Sequence, residues 1–282
     1  TVYHRDINFE TGPNAILLSD VLIQNGGFSN LSEFPVLQML YRQGLIIPNH
    51  PNNKGEKPIL IGSREQIESQ KQYIFRGNFG LATKQEIMET GISDSEADEM
   101  MRLKNKFRFG IEPNIDNLLD SVVVGNKSTE IKNQVFVRRI GLNRYEFSYK
   151  GLTTRVNLNL DTGETYASPY FLGHHKIKRD YFAVIHSGEG DGWNTSKPSM
   201  GSIIIFQGRI YLIDVPPNIL HTLRSLGIDI SEIVGIFHTH AHDDHFSSLP
   251  VLLLSDHRIK YYTTPLVRAS VTKKFAALMS VD

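Results

Sequence analysis

Four of the chain's 11 histidines fall within eight positions, His238-Thr239-His240-Ala241-His242-Asp243-Asp244-His245. Imidazole nitrogens and carboxylates are good ligands for zinc or iron, and a turn leaving a strand can aim alternate side chains at one point. His240, His242, Asp244 and His245, spaced H-x-H-x-D-H, offer enough donors to serve two ions. The chain has no cysteine, which excludes thiolate nucleophiles, zinc fingers and iron–sulfur ligation. Any metal site must therefore be built from histidine and carboxylate. His238 lies outside the spacing and is expected to be structural, and Asp243 reads as a helix-start residue favoured by the macrodipole.

The cluster directly follows Ile233–Phe237, an apolar run that reads as a buried strand. Upstream, residues 202–206 and 209–213 read as a hairpin turning at Gln207-Gly208, and residues 218–226 as a helix closed by Gly227. Downstream, a helix after Phe246, a strand over 259–263 and a helix capped by Thr264 with Pro265 in its first position complete an α/β order. Earlier residues mix short strands at 15–18, 21–23 and 59–61 with a helix over 33–41, and Ser93 with Glu96 forms a capping box opening a helix towards Lys106. From 134 to 166 the period becomes two, a β-meander, and 172–201 reads as a loop. The expected class is α/β (α+β), with a mixed α/β and meander domain over residues 1–178 and a second domain over 179–282.

At 282 residues, with 30 cationic and 30 acidic side chains and 40% hydrophobic residues, the composition is that of a globular protein and excludes disordered and collagen-like classes. Zero formal net charge argues against broad electrostatic capture of nucleic acid or acidic membranes. No stretch approaches the ~20 apolar residues that cross a bilayer, and no signal peptide is visible, so a cytoplasmic location is expected by default. The chain starts without Met and its α/β alternation is still running at Asp282, so a fragment is expected.

The H-x-H-x-D-H spacing resembles the metallo-β-lactamase superfamily. The hairpin ending in IYLIDVPP resembles that family's strand ending in an aspartate, here Asp214, and HFSSLPVLL resembles the HxxGLPxLL of its ribonuclease Z and phosphodiesterase branches, with Ser248 in place of Gly. The likeness spans about residues 179–282, roughly the first half of an αββα sandwich. It implies two divalent metal ions, zinc before iron or manganese. His240 and His242 would bind the first, Asp244 and His245 the second, with a bridging water or hydroxide as nucleophile and Asp214 supporting the loop from behind. The family's later ligands normally lie many tens of residues further on, whereas 37 residues follow His245, and His257 sits early for that role.

The function expected from the resemblance is a metal-dependent hydrolase cleaving a phosphodiester, a cyclic nucleotide or RNA, with Asp244 also orienting the hydroxide. The alternatives are a thioester or lactam hydrolase on the same centre, a di-iron redox or oxygen-binding protein of the same fold, and a non-catalytic interaction protein. A homodimer is compatible with the sequence, and no membrane partner is expected. His174, His175 and His186 read as surface loop residues, Asn25-Gly26-Gly27 as a tight turn, and the basic stretch 102–109 as the end of an amphipathic helix.

Overall fold

The computed structural model describes residues 2–4, 7–9, 14–42, 44–252 and 255–279. The chain is a mixed α/β protein with two compact units, one of Thr1–Lys84, Ser93–Thr165 and Ala276–Asp282, the other of Gln85–Ile92 and Tyr166–Phe275.

In the first unit, Ala15–Leu17, Ile59–Gly62 and Asp120–Val123 form a parallel sheet with Ile59–Gly62 in the centre. The helices Glu33–Arg42, Arg64–Phe79 and Asp94–Phe107 belong here too, the last opened by the expected Ser93–Glu96 capping box. The stretch 102–109 does end that helix, with Phe107 and Phe109 exposed beyond its buried Ala97. Asn25 and Gly26, at φ of 47° and 80°, make the tight turn joining Ile23–Gln24 to Gly27–Phe28, so the run 21–23 contributes only its last residue to a strand.

The meander is real but its limits differ from the expectation. Its four antiparallel strands are Thr129–Lys132, Val135–Gly141, Arg144–Tyr149 and Leu152–Asn157. Residues 158–166 form no strand, because Leu158 N turns back to Asn143 O and Asp161 starts a turn. Ile61, Val124, Val137 and Tyr145 form one buried cluster shared by the two sheets. Beside it the Asp20 carboxylate accepts from Arg139 Nε, Asn143 N and Tyr145 Oη at 2.7–2.8 Å, which anchors the meander's second hairpin to the loop after Ala15–Leu17.

The second unit is built on one five-stranded sheet in sequence order, β1 (Phe182–Gly188), β2 (Gly201–Phe206), β3 (Arg209–Ile213), β4 (Ile233–Phe237) and β5 (Lys260–Tyr262). The first three are antiparallel and the last two run parallel to β3. Strand β1 lies inside the stretch expected to be a loop. Its alternation, Phe182-Ala183-Val184-Ile185, pairs with β2 and is hidden in sequence by the Gly-, Ser- and Lys-rich residues around it. The β2–β3 turn is the expected one, with Gln207 and Gly208 at φ of 51° and 73°.

Connections are α1 (Ile219–Ser225) between β3 and β4, the short α2 (Asp243–Phe246) and α3 (Leu249–Leu252) between β4 and β5, and α4 (Pro265–Met279) after β5. On the inner face Ile203, Ile205, Ile210, Leu212 and Ile236 are buried, while the outer face exposes Phe182, Val184, Phe206, Phe237 and Tyr262. Among the described residues no helix is long and apolar enough to cross a membrane.

On the meander, Glu146 lies opposite Arg138 and Arg155, and accepts from their Nε atoms at 2.7 and 3.0 Å. These hydrogen bonds hold its carboxyl below the ordinary 4.5. A lowered folded pKa gives stability that is present above the unfolded value and lost as pH falls through the folded one. The stability difference between the native chain and Glu146→Gln, read from denaturant midpoints against pH, is therefore expected to be constant above about pH 5 and to shrink towards zero as the acid limb is descended.

Candidate metal centre

Strands β3 and β4 are parallel neighbours, so their C-terminal ends lie side by side, and Asp214 N donates to Phe237 O at 2.8 Å across that end. Asp214 takes φ of 63°, a left-handed conformation that the short polar side chain of aspartate tolerates better than most. Val215 N then donates to His245 O at 2.8 Å, so the segment from His238 to His245 is tied at both ends to the residues just after β3.

The Asp214 side chain is 5% exposed and spans the same gap. Its Oδ1 accepts from Thr239 N at 2.7 Å, and both its oxygens lie 2.8–3.0 Å from Thr239 Oγ1. His245 Nδ1 lies 2.8 Å from Oδ2. An ionised carboxylate only accepts, so the single hydroxyl hydrogen of Thr239 is directed to it. Thr239 Oγ1 also lies 2.9 Å from His240 Nδ1, which must then be the donor. The chain of bonds fixes His240 as the Nδ1–H tautomer and leaves its Nε2 lone pair free, as a metal ligand requires. Thr239 carries this effect and was not singled out in the sequence, since a threonine inside a histidine run gives no signal of its own.

His240, His242 and Asp244 each offer one ligand atom, and these three atoms lie within 4.8 Å of one another. His245 is adjacent to the group: its ring centroid is 4.2 Å from that of His240, and its Nε2 faces Asp244 Oδ2 at 3.2 Å. Asp244 Oδ1 is buried and accepts no hydrogen bond within the described residues. A buried carboxylate oxygen without a donor is costly, and two neutral imidazoles beside it are suited to zinc or iron rather than calcium. These residues therefore fit a divalent transition-metal cation.

Desolvation, reinforced by the neighbouring imidazoles, holds both His240 and His242 below the ordinary histidine value, although His242 keeps an open face to solvent. Burial opposes the charged form of His245 as well, but its hydrogen bonds to Asp214 and Asp244 outweigh that and raise it to about 9. Burial likewise opposes ionisation of Asp214, and the bonds from His245 and Thr239 overcome it, leaving its carboxyl below the usual value. The group thus presents two neutral rings beside an acidic pair bridged by an imidazolium.

His238 faces away from the group: it is 4% exposed, stacks on Phe246, meets Tyr261 Oη through Nδ1 at 2.7 Å, and burial pushes it down to about 4. Asp243 does start α2, and its carboxylate meets Lys274 on α4, a partner 31 positions later that local reading had no means of finding. Ser248 is buried, and its Oγ accepts from Ile219 N. His257 is turned away, with Nε2 at 2.8 Å from Ile233 O at the opposite end of β4. His186 lies on β1 rather than in a loop, and His174 and His175 lie in irregular chain where His175 N donates to Ser225 O.

Removing the Asp214 carboxylate takes the acceptor from Thr239 N and from His245 Nδ1, and takes the short polar side chain that tolerates a left-handed conformation from a residue at φ of 63°. Asp214→Ala is expected to destabilise the second unit by about 3 kcal/mol in denaturant titration, and Asp214→Asn, which keeps one acceptor and tolerates the conformation, by less than half of that.

Over 101 residues the chain is 29% identical to the cGMP-dependent 3',5'-cGMP phosphodiesterase A of Dictyostelium discoideum. That match takes in 36% of this chain but only 12% of the phosphodiesterase, so the chain corresponds to a small part of its relative's length. No protein-family model matches the chain, and no solved structure matches it.

Proposed function

We propose that the stretch expected as a second domain, residues 179–282, carries part of a metallo-β-lactamase-type centre for phosphodiester hydrolysis, with a 3',5'-cyclic nucleotide as substrate class. The observation that supports it most directly is the approach of the His240, His242 and Asp244 ligand atoms within 4.8 Å, with one buried Asp244 oxygen that no donor among the described residues meets. The similarity to a cGMP phosphodiesterase favours a phosphodiester over a thioester or lactam, which the ligands alone do not choose.

In this reading His240 and His242 would hold one cation and Asp244 and His245 a second. Divalent ions bound there supply polarisation of the phosphoryl oxygens and a water acidified towards neutrality. The chain's own residues do the rest. Thr239 keeps the His240 lone pair on Nε2, Asp214 fixes the His245 ring through Nδ1, and Asp244 offers the carboxylate oxygen that can orient an attacking water. The histidine ligands favour zinc, with iron the competitor that would redirect the chemistry to redox.

Protein purified without chelator and without a histidine-rich tag is expected to carry zinc by elemental analysis and to hydrolyse 3',5'-cGMP, with activity lost on chelation and recovered with zinc. His240→Ala and Asp244→Ala should each lose both metal and turnover while keeping the far-ultraviolet circular dichroism of the parent. Unchanged turnover in either variant overturns the mechanism, and iron with a visible absorption band replaces hydrolysis by the redox reading.

A further inference from the structure

Lys274, on α4, is 0% exposed, which is rare for a lysine. Its Nζ donates to Ala241 O at 2.7 Å and to Asp243 Oδ1 at 2.6 Å, and it sits 4.4 Å from the centroid of the Phe246 ring. Phe246 in turn stacks on His238 and meets Phe275 edge-on at 5.0 Å. The two anchor points, Ala241 and Asp243, alternate with the three ligand residues His240, His242 and Asp244. His242 has extended backbone, with φ of −70° and ψ of 149°, which sends the side chain of Asp243 to the side opposite its own. His240, His242 and Asp244 converge on one another, and Ala241 and Asp243 are held by one ammonium.

We infer that Lys274 is a positioning residue for the metal loop: its buried ammonium fixes the Ala241 carbonyl and the Asp243 carboxylate, and so sets the convergence of His240, His242 and Asp244. The part that concerns metal rests on the proposed function. The bracing itself does not. Burying an ammonium carries a desolvation penalty that apolar packing of equal volume avoids, so it acts here by directing two loop groups that apolar packing cannot direct. A carbonyl flanked by two ligands also has no side chain through which it could be held, because residue 241 is alanine, and a cationic donor is a direct way to capture it.

The test uses Lys274→Met, which keeps length and removes charge, and Lys274→Arg, which keeps charge and donors. In metal-free protein, hydrogen exchange of the amides from 240 to 246 is expected to be about tenfold or more faster in Lys274→Met, with β2 and β3 amides unchanged. A lysine that merely stabilised the unit would speed sheet and loop amides together, and that outcome overturns the inference. Zinc affinity, measured against a competing chelator, is expected to fall about 10- to 100-fold at unchanged stoichiometry, and Lys274→Arg should recover part of it.

Should Lys274→Met fail to fold by near-ultraviolet circular dichroism, the pair Lys274→Met/Asp243→Leu removes both buried charges together. It should fold and still show fast loop exchange and weak zinc binding. Native exchange and native zinc affinity in that pair overturn the inference. If the native chain takes up no zinc, the hydrolase reading fails, and the exchange of residues 240–246 still decides whether Lys274 braces the loop.

Discussion

A carboxylate is kept dry at the end of a strand only if donors meet it from several sides, and at Asp214 those donors come from the beginning and the end of the histidine loop. Thr239 N and Oγ1 reach it from the first turn, and His245 Nδ1 from the last. The loop cannot leave this path without stranding a buried charge, a cost of several kcal/mol. Because Asp214 adopts φ of 63°, its carboxylate turns back over the end of β4 instead of continuing along β3. The tautomer of His240 and the ring orientation of His245 both follow from that one group.

The same bonds set the charge state of the centre. Desolvation favours neutral rings at His240 and His242, while Asp214 and Asp244 together favour the imidazolium of His245. Asp243, between them in sequence, has its charge met by Lys274 on the far side of the loop. The carboxyl groups are therefore sorted by partner: Asp214 to Thr239 and His245, Asp243 to lysine, and Asp244 to His245 through one oxygen, with the other buried and without a donor among the described residues. A cation arriving at that oxygen would compete with the His245 proton for Asp244, which is the usual coupling of metal binding to proton release.

Local chemistry made part of this legible in the sequence. The Gln207-Gly208 turn, the Ser93–Glu96 box and Pro265 after Thr264 are signals contained within a few residues, and each lies where the structure has the matching element, while three members of the H-x-H-x-D-H run, His240, His242 and Asp244, bring ligand atoms within 4.8 Å of one another. What escaped depends on distant partners. Strand β1 has its alternation cut short by glycine- and serine-rich flanks, and only pairing with β2 makes it a strand. The helix Arg64–Phe79 buries Ser69 and Gln70 along with Ile67, Tyr73 and Ile74, so its inward stripe is too polar to stand out. Lys274 looks like any cation on a helix until the fold brings Ala241 and Asp243 to it.

The outer face of the sheet bears on the centre as well. Tyr211, Phe237 and Tyr262 share the outer face of β3, β4 and β5, where Phe237 pairs with Tyr262 and Tyr211 with Gly235, and their ring centroids lie 5.9 and 4.7 Å apart in succession. A Cβ at Gly235 would lie 3.0 Å from Tyr262 and 3.1 Å from Tyr211, so glycine on β4, between the strands of those two residues, allows the rings to close over it. These are the three strands whose C-terminal ends carry Asp214, the histidine loop and Thr263, and Thr263 Oγ1 donates to His238 O at 2.9 Å. Aromatic pairs of this kind contribute about 0.5–1.5 kcal/mol each beyond their burial. The ladder therefore fixes the spacing of the strand ends from one side of the sheet while Asp214 and Lys274 fix the loop from the other, and a ligand set whose donors must agree to within about half an ångström needs both.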